Sequence, residues 1–244
     1  MKTYKYIIVS ILTLALLMPS ASAAFAATPY VSVPILMYHT ASEEEPVGLT
    51  ELYVKPSEFE KQIEYLVDNG YTACTFDDYA NLKNIKKPVM ITFDDGYPEI
   101  YTLIFPILKK YNFKVTLFLS YSLIEINGIT EDMVREMSDS GLVKIESHSD
   151  DHVDLRALTP EKLDAELSGA KAKIEALTGK PVAALAYPYG FYNTAVTECT
   201  AKYYAYGVLA ASGRNNTSLS PLLIRRQGVY RSTTMAQFKA LVRE

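Results

Sequence analysis

The chain has only three histidines, His39, His148 and His152. Two of them fall in the run Glu146-Ser147-His148-Ser149-Asp150-Asp151-His152. A spacing of four places both on one side of a helical turn, where they can chelate one metal ion. Such a pair alone is commonly just two surface histidines. A second acidic feature strengthens it: Val89-Met90-Ile91-Thr92-Phe93-Asp94-Asp95-Gly96, an apolar run that stops in two carboxylates and a glycine. Neighbouring side chains on a strand point to opposite faces, so Asp94 and Asp95 can serve one site only if the strand ends there. Gly96 permits that ending because it tolerates backbone angles that other residues avoid. Two imidazoles and one carboxylate leave open positions on a metal, as catalysis needs. A second carboxylate close by can take a proton from water. A near copy, Thr75-Phe76-Asp77-Asp78, has no glycine after it and runs on into Tyr79-Ala80-Asn81-Leu82. Its acids read as helix-cap or first-turn residues.

These groups need elements to hold them. Residues 34–38 form an apolar run that ends in His39 and reads as a first buried strand. Residues 40–54 carry Glu43, Glu44, Glu45, Pro46 and Gly48 and read as a loop. Ser57 and Glu60 make a capping box for a helix with Phe59, Ile63 and Leu66 on one face and Gly70 at its end. Strands are expected at 71–76, 89–93, 113–119, 142–146 and 183–187, with further candidates at 206–210 and 222–230. Pro106 should kink or split the helix over 98–111. Thr130 caps a helix that Gly141 ends. Thr159-Pro160-Glu161 starts another, with Leu163, Leu167, Ala170, Ile174 and Leu177 as its buried stripe. Helices at 194–203 and 235–242 complete the α/β pattern. Strands alternating with helices imply a parallel sheet or barrel, and about seven such units favour a barrel. The histidines and the two aspartates all lie at or just beyond carboxyl ends of strands, where such folds place their chemistry.

At 244 residues the chain suits one domain of this class. Lys2, Lys5, an apolar run at 7–18, Pro19 and small residues around 21–26 have the pattern of a secretory signal peptide over 1–26, leaving a domain at 27–244. That run is short for a membrane span. Losing the leader removes two lysines and no acid, which takes the formal charge from −4 to −6. An acidic chain argues against nucleic acid as partner. Cys74 and Cys199 are free to pair or to remain thiols in an exported protein.

The motifs resemble those of the polysaccharide deacetylases with a NodB-type catalytic domain, carbohydrate esterase family 4. Thr92-Phe93-Asp94-Asp95-Gly96 matches the family's first motif, Ser147-His148-Ser149-Asp150-Asp151-His152 its second, and Ala186-Tyr187-Pro188-Tyr189-Gly190 resembles its third. The resemblance spans roughly residues 34–230 and implies a distorted (β/α)7-type barrel. It also implies roles. Asp95, His148 and His152 would bind a divalent metal, most often zinc, with cobalt, nickel, iron or manganese as substitutes. Asp94 would be the general base, and the backbone N–H after Pro188, that of Tyr189, would face the oxyanion. The Tyr189 side chain serves equally as a wall of the groove.

Two positions depart from the pattern. The family's third motif carries an arginine that orients the base, and Ala186 stands there; Arg225 or Arg226 are the candidate replacements. The family's general-acid histidine lies late in the chain, yet no histidine follows His152. The stretch Pro34-Ile35-Leu36-Met37-Tyr38-His39 is similar to the N-terminal strand of a circularly permuted subgroup that includes poly-N-acetylglucosamine deacetylases, which makes His39 the expected acid. The expected activity is a secreted, monomeric, metal-dependent N-deacetylase acting on poly-N-acetylglucosamine or peptidoglycan, compatible with association with the cell surface. The alternatives are an O-acetyl esterase on a glycan such as acetylxylan and a non-catalytic glycan-binding module on a degenerate barrel. A glycosidase fits less well: its two carboxyls stand about 5–9.5 Å apart across a bond, and the histidines would go unexplained.

Overall fold

The computed structural model describes residues 32–126, 128–213, 215–216 and 220–243. The leader expected at 1–26 lies outside the described residues. Eight parallel strands form one curled sheet: β1 (Ile35–Tyr38), β2 (Thr72–Cys74), β3 (Pro88–Phe93), β4 (Val115–Leu119), β5 (Val143–Ser147), β6 (Ala184–Ala186), β7 (Tyr206–Val208) and β8 (Gln227–Gly228). Seven follow the order β7-β6-β5-β4-β3-β1-β8, and β2 pairs with the first half of β3. The two edges approach each other: Val208 bridges Ile224, just ahead of β8. Ile224 exchanges backbone bonds of 2.9 and 2.7 Å with Gly207 and Leu209. The sheet is therefore a distorted, incomplete barrel. The strand expected over 222–230 is cut short because this segment spans the gap, bonding first to β7 and then to β1.

Alternation along the strands separates two apolar layers. Ile35, Met90, Phe118, Ala184, Ala186, Val208 and Ile224 fill the interior. Leu36, Val89, Ile91, Val115, Leu117 and Ile145 face outward against the helices. Those helices are α1 (Pro56–Asp68), α2 (Phe105–Tyr111), α3 (Glu131–Asp139), α4 (Pro160–Thr178), α5 (Thr194–Tyr203) and α6 (Met235–Val242). Each fully buried Leu, Ile or Val contributes about 1.5–3 kcal/mol relative to an exposed one.

Local signals were followed in most places. Thr130 and Thr159 cap α3 and α4, and Gly179 ends α4 in a left-handed conformation. Ahead of Pro106 the chain makes a wide π turn at Ile100–Ile104 before α2 begins. The Ser57–Glu60 capping box does not form. Pro56 starts α1 earlier, since it has no N–H to leave unpaired, and Ser57 N and Oγ bond to Glu43 instead. Cys74 lies inside the barrel and Cys199 on α5; both are buried free thiols. Among the described residues no helix is long and apolar enough to cross a membrane.

Candidate active site

The inward-facing rows end, at the carboxyl edge of the sheet, in the residues singled out above. Asp94 follows β3, and its N–H donates to Tyr38 O at 3.1 Å, which sets it beside His39 at the end of β1. His148 follows β5, and its N–H donates to Leu119 O at the end of β4. The strand does stop after Asp94: Asp95 has φ 74° and Gly96 φ 90°. That left-handed turn lets both aspartates serve one site. A Cβ on Gly96 would sit 2.5 Å from Leu119 Cδ1, so a larger residue at 96 meets both the left-handed backbone angle and a Leu119 methyl that must shift.

His148 and His152 do converge, but not on a helical turn. Residues 148–152 form a loop with left-handed Ser149 (φ 67°) and His152 (φ 52°), and the two ring centroids lie 4.8 Å apart. Side chains hold this loop. Ser147 Oγ accepts from Ser149 N, Ser149 Oγ from His152 N, and Glu166 Oε1 from Asp150 N and Asp151 N. Ser120 and Ser122 hydroxyls donate to the carbonyls of His148 and Asp150. Left-handed non-glycine residues cost about 1–3 kcal/mol each and persist where their surroundings impose them. Asp95, Ser149, His152 and Tyr189 (φ 60°) all belong to the loops around this site.

Asp95 Oδ1 lies 3.3 Å from His148 Nε2 and 3.3 Å from His152 Nε2. These three residues form a group able to hold a metal ion, with ligand atoms all within 4.8 Å of one another. The donor set fits a divalent metal ion, and the two Asp95–histidine separations have the right size. Ligands at about 2.0–2.1 Å from one tetrahedral ion lie roughly 3.3 Å apart. The tautomer fits as well: His148 Nδ1 is 2.8 Å from Ala186 O, and a carbonyl only accepts, so Nδ1 carries the proton and Nε2 offers its lone pair.

Asp94 is held differently. Arg226 grips it with two bonds, NH1 to Oδ1 at 2.5 Å and NH2 to Oδ2 at 2.7 Å. Arg226 also donates from NH1 to Thr92 Oγ1 and from Nε to Leu209 O. The pair is enclosed, with Arg226 1% and Asp94 2% exposed. Of the two arginine candidates, Arg226 is buried and reaches Asp94; Arg225, its neighbour in the chain, is exposed. Burial opposes charge on Asp94, but the Arg226 guanidinium, His148 and His39 outweigh it and lower its pKa to about 2. Burial likewise opposes charge on Asp95 and His148, yet their mutual contact pulls Asp95 down and, with Asp94, pushes His148 up. His39 is lowered by burial against the pull of Asp94 and Asp95, and His152 by burial and by His148.

Pro188 is buried, and Tyr189 is 57% exposed beside the loop, its ring 4.8 Å from His152 and its hydroxyl donating to His152 O. The acids of the near-copy motif lie elsewhere. Asp78 accepts from Thr75 N and Asp77 pairs with Lys144 at 2.8 Å. Both line a small cavity with Lys114 and Val143, at the amino-terminal ends of β4 and β5. Two contributors went unremarked in the sequence: Thr92, which bonds Arg226, and Glu166, which braces the histidine loop. Glu166 had a visible signal, being a charge three residues after Leu163 on the buried side of α4.

Known proteins resemble this chain in sequence and in fold. A family model described as polysaccharide deacetylase matches residues 81–207. The chain is 35% identical over 205 residues to "Putative polysaccharide deacetylase YxkH" of Bacillus subtilis, covering 81% of this chain and 68% of that one. It is 29% identical over 187 residues to the poly-beta-1,6-N-acetyl-D-glucosamine N-deacetylase of Staphylococcus epidermidis, covering 65% of each. The crystal structure of a polysaccharide deacetylase from Bacillus cereus superposes with a TM-score of 0.83 at 33% identity, over 88% of this chain and 70% of that one. With the motif residues gathered at the barrel mouth and a family match across more than half its length, this chain belongs to the polysaccharide deacetylase family.

Proposed function

We propose that the protein is a metal-dependent N-deacetylase that removes acetyl groups from N-acetylhexosamine units of a polysaccharide. The observation that carries this reading is the pairing of two different sites within one cleft. The open donor set Asp95, His148 and His152 stands beside a carboxylate, Asp94, that Arg226 keeps ionised and oriented. Bound at those three residues, a divalent ion, most simply zinc, supplies Lewis acidity that polarises the acetyl carbonyl and acidifies the attacking water. Asp94 takes the proton from that water, and its bidentate grip on Arg226 leaves it little freedom to turn away. The Tyr189 N–H, next to Pro188 in its left-handed turn, donates to the developing oxyanion. His39, which lies within electrostatic reach of Asp94 and Asp95, carries a proton to the departing amine. A glycan-binding module has no need of a base beside a metal site.

The substrate class rests on the name of the Staphylococcus epidermidis relative, an N-deacetylase of poly-beta-1,6-N-acetyl-D-glucosamine, together with the early placement of His39. Secretion rests on the leader pattern at 1–26. The test is acetate release from poly-N-acetylglucosamine, peptidoglycan, chitin oligomers and acetylxylan, by metal-stripped and metal-restored protein, with Asp94→Asn as control. The expected result is release from an N-acetylated glycan, only after metal is restored and not by the variant. Release from acetylxylan alone points to ester chemistry. No release in any state rejects the enzyme reading.

A further inference from the structure

We propose that Glu166 is a positioning residue for the metal site, acting through the backbone of the loop that joins His148 to His152. The proposal rests on the reading of Asp95, His148 and His152 as metal ligands. Glu166 sits on the buried face of α4, flanked by Leu163, Leu167 and Ala170, and is 8% exposed. A carboxylate in an apolar helix face is costly unless its oxygens are bonded. Its bonds go to the histidine loop: Oε1 accepts from Asp150 N at 2.9 Å and from Asp151 N at 2.7 Å. Those are the two peptide groups at the centre of the turn between the ligands.

Serines within the motif bond the N–H groups on either side, at Ser149 and His152. For the two central N–H groups the acceptor is Glu166, delivered from a different element 15 residues away. The turn needs an outside brace because it contains left-handed Ser149 and ends in left-handed His152, conformations these residues do not choose unaided. Ser122 adds a second brace on the same peptide, donating from N and Oγ to Asp150 O. Glu166 thus fixes the distance and angle between two imidazoles without touching either. Its loss should let the turn relax and spread the donor atoms.

The test measures Zn2+ affinity by competition with a chromophoric chelator, and the visible absorption of the Co2+-loaded protein, on the full chain. Wild type should bind one ion per chain. Glu166→Ala should bind roughly 10–100-fold more weakly, with an altered Co2+ spectrum. Glu166→Gln keeps a carbonyl oxygen for the same two bonds and should restore most of the affinity. Glu166→Asp keeps the charge but withdraws the acceptor by one methylene. It should also bind at least about tenfold more weakly, and it serves if the alanine variant does not fold. A wild-type protein that binds no metal rejects the metal reading itself. A wild type that binds, with Glu166→Ala or Glu166→Asp matching it in affinity and Co2+ spectrum, rejects the positioning role. So does a Gln variant as weak as the Ala variant.

Discussion

Replacing Arg226 with methionine removes the guanidinium but keeps much of the apolar volume, and its cost can be worked from the structure. Arg226 and Asp94 are both almost fully enclosed and joined by two short bonds. With charge centres about 4 Å apart, the attraction is about 4 kcal/mol at an effective dielectric of 20. Breaking a buried pair from one side typically costs about 3–5 kcal/mol, because the remaining charge is left uncompensated. For a domain of this size that corresponds to a fall in Tm of roughly 6–20 °C. The double variant Arg226→Met/Asp94→Asn removes the stranded charge and should recover at least half of the loss. Arg226→Lys should recover little, since one ammonium cannot hold both carboxylate oxygens as a planar fork does.

The pH dependence has a definite sign. The folded pKa of Asp94, about 2, lies below its ordinary value of 3.8. Its contribution, about 2–3 kcal/mol, is therefore present above pH 4 or so and is lost as pH falls toward 2. Arg226→Met should abolish that part of the acid-unfolding curve in metal-free protein. Urea and thermal unfolding of the four proteins, at pH 7 and below pH 4, check the reasoning. It is refuted if Arg226→Met costs less than about 1 kcal/mol, or if adding Asp94→Asn makes matters no better.

Other consequences follow from single positions. Gly96→Ala should destabilise the fold by about 1–3 kcal/mol, because φ 90° is strained for alanine and the new Cβ meets Leu119. It should also lower metal occupancy by displacing Asp95, which metal analysis of the dialysed protein would show; full occupancy would contradict this. His39→Ala should reduce acetate release by about 100–10,000-fold while leaving one metal per chain. An unchanged rate removes His39 from the proton transfer.

Much of the site was visible in the chain before any coordinates. The left-handed ending after Asp94 follows from the glycine at 96, and the elements around it from alternation, caps and prolines. The π turn ahead of Pro106 and the caps at Thr130 and Thr159 are local effects, settled within a few residues. The errors arose where local signals competed or distant groups intervened. A serine cap at 57 lost to the proline before it. A helical turn between His148 and His152 gave way to a loop braced by Glu166 and by Ser120 and Ser122.

By itself, the sequence determined which residues could do the chemistry and that they stand at strand ends, because residue types, spacing and strand periodicity are properties of neighbours along the chain. The tertiary structure decided which of these residues meet. Asp94 and Arg226 are 132 residues apart. They join only because the barrel curls until the segment before β8 reaches β7 on one side and β1 on the other. No local pattern encodes that closure. The fold also buries Arg226 and leaves Arg225 exposed, and it sets Asp94-Asp95 at the carboxyl edge of the sheet but Asp77-Asp78 at the amino-terminal ends of β4 and β5.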